Sequence, residues 1–501
     1  KIPKGMSFED NSYTRLLKEN LNIQVVYDWT ASTSDYDEKM SLCIGSNTIP
    51  EIMNVNATQY RALLKYDMIQ PLDKYFDDYA SDALKSYVKS GGEELQKCIT
   101  NEDGELMAIP APNLTAGGVN EMWIRQDWLD ALGLDVPRTW DELAEVAKAF
   151  VTRDPDGNGE NDTIGILGPG NSDHMNAVGG NQFGLDPLFS CFQSYPQYWL
   201  KSEDGSVEYG SIQPETKTAL ENISKLYADG VIDPETLVRS DSKEPLLAGK
   251  VGIFFGPWWC AYTFADTTLS GSADWRAYFT PLSEDGKYYT HMAEPTTQYV
   301  VASKDCKNPE AAFKIINYLV ANEQKWVEEG VTSTEMGTGD FYPLYNTYDN
   351  ADEIEKSYEA LTKYLAGDIS MDDVDFSTHK LLKNDMEAVT KLKKKPYDDF
   401  SLKYWNLDSD LAKTNLPRLV AIMVGDAPLV NEEYVPVYNA YNGQTETMEA
   451  KWANLKKMEE ETFAKIIMGK ADISEFDTFV KNWKNQGGDQ ILKEINDELS
   501  K

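Results

Sequence analysis

Histidine is nearly missing from this chain: among 501 residues there are three, His174, His291 and His379. Cysteine is sparse as well, with Cys43, Cys98, Cys191, Cys260 and Cys306 scattered and no CxxC spacing among them. These scarcities argue against a zinc site or a disulfide framework, which need clustered thiolates or imidazoles. Each cysteine is expected to serve as a small buried apolar side chain. Basic residues are few, 47 Lys and Arg against 83 Asp and Glu, for a formal net charge of −36. Nucleic acid and anionic membrane surfaces are therefore poor partners, because phosphate binding takes clustered cations. No run of about twenty apolar residues occurs, so the sequence holds no helical membrane span.

What is present is ample for folding. Hydrophobic residues make up 41% of the chain and aromatics 11%, enough for real cores in two or more domains. The chain opens at Lys1-Ile2-Pro3-Lys4-Gly5 without a signal or lipidation motif, as a processed or trimmed fragment would.

One stretch repeats residue types at a spacing that chemistry would demand, Asp154-Pro155-Asp156-Gly157-Asn158-Gly159-Glu160-Asn161-Asp162-Thr163-Ile164-Gly165. Oxygen side chains stand at its first, third, fifth and ninth places, Asp154, Asp156, Asn158 and Asp162, and glycine stands at the sixth. A hard cation takes six to eight oxygens, and glycine permits the tight turn that aims alternate residues inward, so the loop reads as a structural calcium site. Glu160 would contribute its backbone carbonyl. The twelfth place is Gly165 where a bidentate glutamate would complete the set, so a further ligand must come from outside the loop or from water. The bland alternative is an Asp/Asn/Gly turn without metal.

Along the chain, helical spacing over Asn11–Leu21 leads into a predicted strand Ile23–Tyr27, then a helix around Tyr36–Cys43 and a strand Glu51–Val55. That alternation predicts an α/β layer with a parallel sheet. Asn54 and Asn56 would then stand at a strand's carboxyl end, where open α/β sheets bind ligands. Pro110, Pro112, Gly117 and Gly118 mark a crossing between lobes before a strand Glu121–Arg125, and Glu294-Pro295-Thr296-Thr297 marks a second. Helices follow at Gln126–Leu132 and after Thr139, where Thr139 and Glu142 form a capping box and the apolar face delivers the chain into the Asp154 loop. A helix Pro214–Ala228, a buried strand Val251–Phe255 and a helix Pro309–Asn322 are read the same way. Two adjacent tryptophans, Trp258 and Trp259, stand just past the buried strand and point to different sides.

The run Met107–Pro110, Trp123–Leu129, Leu132-Gly133-Leu134 and Pro137–Leu143, followed in order by Gly249–Gly252, Gly256-Pro257-Trp258 and Asn308–Ala312, resembles the extracellular solute-binding proteins of ABC sugar importers, the family of the maltose-binding protein. The tail Phe476–Trp483 with Gly487–Gln490 is similar to the large lipoprotein subgroup from Gram-positive bacteria. The resemblance implies an α/β, two-lobed, periplasmic-binding-protein-like fold, each lobe a sheet flanked by helices, with a ligand cleft between them. The implied lobes are 1–111 plus 297–345, and 112–296 plus 346–501 with the calcium loop 154–165. It also implies a monomeric cell-surface lipoprotein, its lipid anchor upstream of Lys1, that hands its ligand to the membrane permease of an ABC importer.

By the same resemblance Trp258 falls where the family keeps a stacking tryptophan, while Asp173 and His174 stand where it keeps a cleft tyrosine. Sugars offer CH faces to aromatic rings and hydroxyls to Asp, Asn and Gln. The candidate ligand-binding set is therefore Trp29, Asn54, Asn56, Asn113, Asp173, His174, Trp258, Trp259 and Glu294, all at predicted strand ends, loops or crossings. The leading expectation is a non-enzymatic oligosaccharide-binding protein. Its alternatives are a secreted glycoside hydrolase, which needs two carboxylates about 5–10 Å apart, and capture of peptides or another small solute by the same fold.

Overall fold

The computed structural model describes residues 5–32, 34–170, 182–270, 273–328, 341–376, 379, 381–392, 405–406 and 409–500. Its strands, in chain order, are β1 Ile52–Val55, β2 Ile109–Pro112, β3 Glu121–Arg125, β4 Ile164–Leu167, β5 Trp199–Lys201, β6 Val207–Tyr209, β7 Val251–Gly256, β8 Trp275–Tyr278, β9 Tyr288–His291, β10 Thr296–Ala302 and β11 Tyr434–Val437. The chain divides into two compact units, residues 1–114, 295–353 and 375–380, and residues 115–294, 354–374 and 381–501.

The first unit is built on the sheet β1-β10-β2. Met53 and Val55 of β1 are buried while Ile52 and Asn54 are half-buried, the alternation of a strand with one face on a core. Helices cover that core, among them Ser12–Leu21, which starts sharply because Asn11 accepts from the amides of Tyr13 and Thr14 while the Thr14 hydroxyl receives the Asn11 amide. Tyr13 and Leu17 are thereby aimed inward. Two expectations fail here. Ile23–Tyr27 joins no sheet among the described residues, since strand-like residues make a strand only where a neighbour supplies backbone partners. Nor is the sheet parallel: β10 runs antiparallel to both β1 and β2, because the chain re-enters this unit from the other one in the opposite sense.

The second unit carries the sheet β4-β7-β3-β8, in which only β4 and β7 are parallel. All six residues of β7 are buried. Gly252 is required at its centre, because a Cβ there would lie 2.2 Å from the ring of Phe150. The helix Trp140–Thr152, capped by the expected Thr139–Glu142 box, thus packs flat on the strand. The helices Pro214–Ala228, Glu446–Ile467, Glu475–Trp483 and Asp489–Leu499 share one apolar cluster with it. Inside that cluster Glu459 is buried yet satisfied, accepting from the hydroxyls of Tyr209 at 2.9 Å and Ser211 at 2.8 Å.

Candidate functional site

Strand polarity gathers the chemistry of the second unit at one edge of its sheet. Because β3 runs against β7 with Glu121 opposite Gly256, the start of β3 lies beside the carboxyl ends of β7 and its parallel neighbour β4, the edge where α/β sheets hold ligands. Gly256 carries no side chain there because a Cβ would lie 2.5 Å from Cys260 Sγ, and this lets the chain fold into the short turn Trp258–Cys260. A π-helical turn, Ala421–Gly425, closes over it. A Cβ on Gly425 would meet the Trp258 carbonyl at 2.6 Å and the Trp123 ring at 2.9 Å, so glycine is what allows that approach.

Four polar residues that sequence reasoning missed collect here: Asn120, Glu121, Asp186 and Asp426. The Asn120 amide donates to Asp186 at 2.6 Å, and the Tyr288 hydroxyl donates to the Asn120 carbonyl. Glu121 and Asp426 are fully buried, and neither carboxyl has a hydrogen-bond partner among the described residues. Burial, with the nearby charge of Asp426 and then Glu432, pushes Glu121 well above the carboxylate range. Asp426 rises through burial and the charge of Glu355; Asp186 rises through burial, partly offset by its bond to Asn120. His291, buried between the edges of Tyr195 and Tyr198, is pushed down to about 3 by desolvation. Burial thus favours the protonated form of each of these acids and the neutral form of His291, and a carboxyl donates as well as accepts when protonated. The one signal in the sequence was Glu121 itself, an acid directly before the apolar run Met122-Trp123-Ile124.

These shifts carry a sign. An acid raised in the folded state holds a proton that the unfolded chain releases, so its stabilising share is full below about pH 4 and is lost as pH rises toward the folded value. The melting temperature is expected to fall as pH rises from about 5, and Glu121→Gln should flatten that slope. Exposed acids held low, such as Asp162 beside Lys250, act in the opposite sense but only as pH falls through their own range. Parallel Tm-against-pH curves for wild type and Glu121→Gln would refute the assignment.

Of the expected ligand residues, Trp258 is buried in the turn after β7 with an unpartnered indole N–H, and Trp259 beside it is half-buried. Glu294 is half-buried near the end of the second unit's central stretch. In the first unit, Trp29 and Asn54 come together on a cavity of about 610 Å³ that Tyr36, Met40 and Ile315 also line. The Tyr36 hydroxyl donates to the Asn54 carbonyl at 2.8 Å, and the Asn54 amide donates to Asn346 at 3.0 Å. The cavity's walls include the segment Ile23–Trp29 and β1 at the edge of its sheet. Asn56 is turned to other work: it caps the helix Ala57–Lys65 through the Gln59 amide and donates to Asp37. The Asn113 amide donates to the Pro295 carbonyl at 2.9 Å. Asp173 and His174 lie outside the described residues.

The loop after the helix Trp140–Thr152 is folded by its own polar groups. Asp154, Gly157 and Gly159 all take positive φ, 47°, 68° and 82°. Asp154 accepts from the amides of Asn158 and Gly159, and the Asn158 side chain donates to Asp156 at 3.0 Å and Asp162 at 3.3 Å. Asp156 is raised by burial and by the neighbouring Asp154 and Asp162. Among the described residues no three carboxylate, imidazole or thiol groups converge as metal ligands do, and Lys250 Nζ sits 2.7 Å from Asp162 Oδ2. The loop offers oxygen donors, the type a hard cation takes, but they do not converge on one point and Asp162 is paired with the Lys250 ammonium. Gly165 explains the missing twelfth ligand: a Cβ there would lie 2.7 Å from the carbonyls of both Ala147 and Val231, so no acid fits.

Comparison with known proteins adds the following. The family profile of the bacterial extracellular solute-binding proteins matches residues 7–326. The fructooligosaccharide ABC transporter substrate-binding protein FusA of Streptococcus pneumoniae is 30% identical over 246 residues, 46% of this chain and 43% of that protein, so the match spans less than half of its length. The polygalacturonan/rhamnogalacturonan-binding protein YtcQ of Bacillus subtilis is 24% identical over 469 residues, 91% of this chain and 82% of that protein. An EF-hand mutant of S. pneumoniae FusA, solved in complex with fructo-nystose, superposes with a TM-score of 0.52 at 18% identity, covering 100% of this chain and 98% of that one. That last likeness is one of fold, two lobes each with a sheet flanked by helices.

Proposed function

The chain belongs to the bacterial extracellular solute-binding proteins, and from that premise we propose that it captures an oligosaccharide outside the cell, as a lipid-anchored monomer, and presents it to the permease of an ABC importer. The observation that carries this reading is the match along nearly the whole chain to YtcQ, a relative named for polysaccharide binding. The geometry supports it: an aromatic side chain, Trp258, stands at the carboxyl end of β7 near the buried carboxyls of Glu121 and Asp426, which have no hydrogen-bond partner among the described residues and suit hydroxyl partners. Trp29 and Asn54 on the first unit's cavity are the complementary candidates. Titration calorimetry against a panel of oligosaccharides, with product analysis, is the test. Saturable heat with no cleavage supports the reading; turnover of a glycan would replace it by hydrolysis, and binding of peptides alone would change the ligand class.

The loop Asp154–Gly165 is read as a structural calcium site, with Asp154, Asp156, Asn158 and Asp162 as side-chain ligands and the Glu160 carbonyl beside them. FusA's EF-hand, named in its mutant structure, supports the reading. A bound ion would neutralise the crowded carboxylates and pin the helix Trp140–Thr152 to β4. Chelation is therefore expected to lower the melting temperature by several degrees, as loss of a bound ion at about a hundred times its Kd would. An unchanged melt with EGTA, together with no ion retained in native mass spectrometry, would leave an ordinary turn.

A further inference from the structure

We propose that the cavity of the first unit is a slot for one more β-strand, supplied by polypeptide of this chain ahead of Lys1. The inference rests on the lipid-anchored reading above, which already places polypeptide there, and goes past it to what that polypeptide does.

Two ribbons with backbone groups to spare wall this cavity. One is β1, an edge of the sheet β1-β10-β2. The Ser303 amide donates to the Glu51 carbonyl at 2.8 Å, and Ile52 and Asn54 stand opposite Ala302 and Val300. Alternate residues of β1 therefore bond to β10, while the amides and carbonyls of Ile52 and Asn54 turn outward. On that side the Asn54 carbonyl meets the Tyr36 hydroxyl and, among the described residues, no backbone amide. The other wall is residues 23–29. From Ile23 to Trp29 alternate residues are half-buried and those between are exposed, the two-residue period of a strand. Trp29 packs on Tyr36, ring centroids 5.3 Å apart, and Tyr36 reaches Asn54, so the two walls end together and run in the same sense.

The cavity between them, about 610 Å³, reaches the core side chains Met40, Met53 and Ile315. Packed interiors leave few voids of that size, and an unpaired edge beside one is what a further strand covers. A strand of the chain's own suits the place better than a separate peptide, whose departure would bare core side chains. The route is short as well. The Phe8 ring lies against Tyr27, centroids 6.2 Å apart, and the Glu9 carboxylate accepts the Tyr27 amide at 3.2 Å, so the chain already enters this unit beside the far wall. With the strand in place, residues 23–27 would join β1, β10 and β2 in one sheet. The side chains of Trp29 and Asn54, gathered around Tyr36 where both walls end, would remain at its rim for the ligand.

Hydrogen–deuterium exchange on two forms of the protein tests this: the chain from Lys1, and the same chain carrying the residues that its gene encodes ahead of Lys1 in the mature protein. The longer form is expected to exchange about tenfold more slowly at Ile52, Asn54 and residues 24–26, and to melt several degrees higher. A synthetic peptide copying those upstream residues, added to the Lys1 form, should bring the same protection as its concentration rises. Equal exchange at these amides in both forms overturns the proposal and leaves oligosaccharide capture, measured by calorimetry on the same samples, untouched. Protection in the Lys1 form that grows with protein concentration, together with a dimer in sedimentation, gives the slot to a second copy and overturns it too. A mature protein that begins at Lys1 overturns both the strand and the lipid anchor.

Discussion

Replacing Trp483 with alanine is expected to destabilise the second unit by about 3–5 kcal/mol, the range for removing a large aromatic from a packed core. Trp483 is fully buried and stacked on Tyr209, ring centroids 4.8 Å apart and planes within 9°. The kinked segment Lys484–Gly488, in which Gly487 takes φ 139°, closes over it, with Gly488 so near that a Cβ would fall 2.0 Å from the indole. Tyr209 in turn donates its hydroxyl to buried Glu459, so the void left by the indole would loosen the partner of a buried carboxylate as well as three helices. Relaxation is limited, because the wall on one side is backbone. Urea denaturation followed by tryptophan fluorescence and circular dichroism measures the loss. A change below about 1 kcal/mol would mean that the C-terminal helices are an appendage; Trp483→Phe, which keeps most of the stack, should cost less than half of the alanine change.

That tail shows where sequence reading stopped. The run Phe476–Trp483 was recognisable as a motif, but periodicity on one helix does not say which other helix its apolar face meets. Local features were legible because their causes are local: the Thr139–Glu142 box, the helix Pro214–Ala228 and the all-buried strand β7 each declare themselves within a few residues. Ile23–Tyr27 has strand composition and no strand partner, which no local pattern could reveal. At this edge the sequence pointed to Trp258 and Trp259, because they follow a readable strand. Glu121 and Asp426 are far apart in the chain, and they share an edge through a π-helical turn and a glycine contact at Gly425. Lys250 reaches Asp162 by the same kind of long-range placement: β7 pairs with β4 in parallel, so the residue before one strand lies beside the residues before the other.

Trp258→Ala is expected to weaken oligosaccharide binding by about 2–4 kcal/mol, the scale of a buried aromatic anchor, or from about thirty-fold to about a thousand-fold in Kd. The argument has two parts. The turn Trp258–Cys260 places the residue at the carboxyl end of β7, with Gly425 against its main chain, and its side chain is buried, so it loses little freedom on stacking. Its N–H is buried without a partner, a donor that a sugar hydroxyl would satisfy. Trp258→Phe separates the two contributions: it keeps a ring for stacking and removes the donor, so it should fall between wild type and alanine. Because the same indole is packed, the alanine variant will also melt lower, and binding must be compared at a temperature where both proteins are folded by circular dichroism. Calorimetry with the oligosaccharide that wild type binds best gives the number. Wild-type affinity in a folded Trp258→Ala protein would remove Trp258 from the site and move attention to Trp29 and Asn54 on the cavity of the first unit.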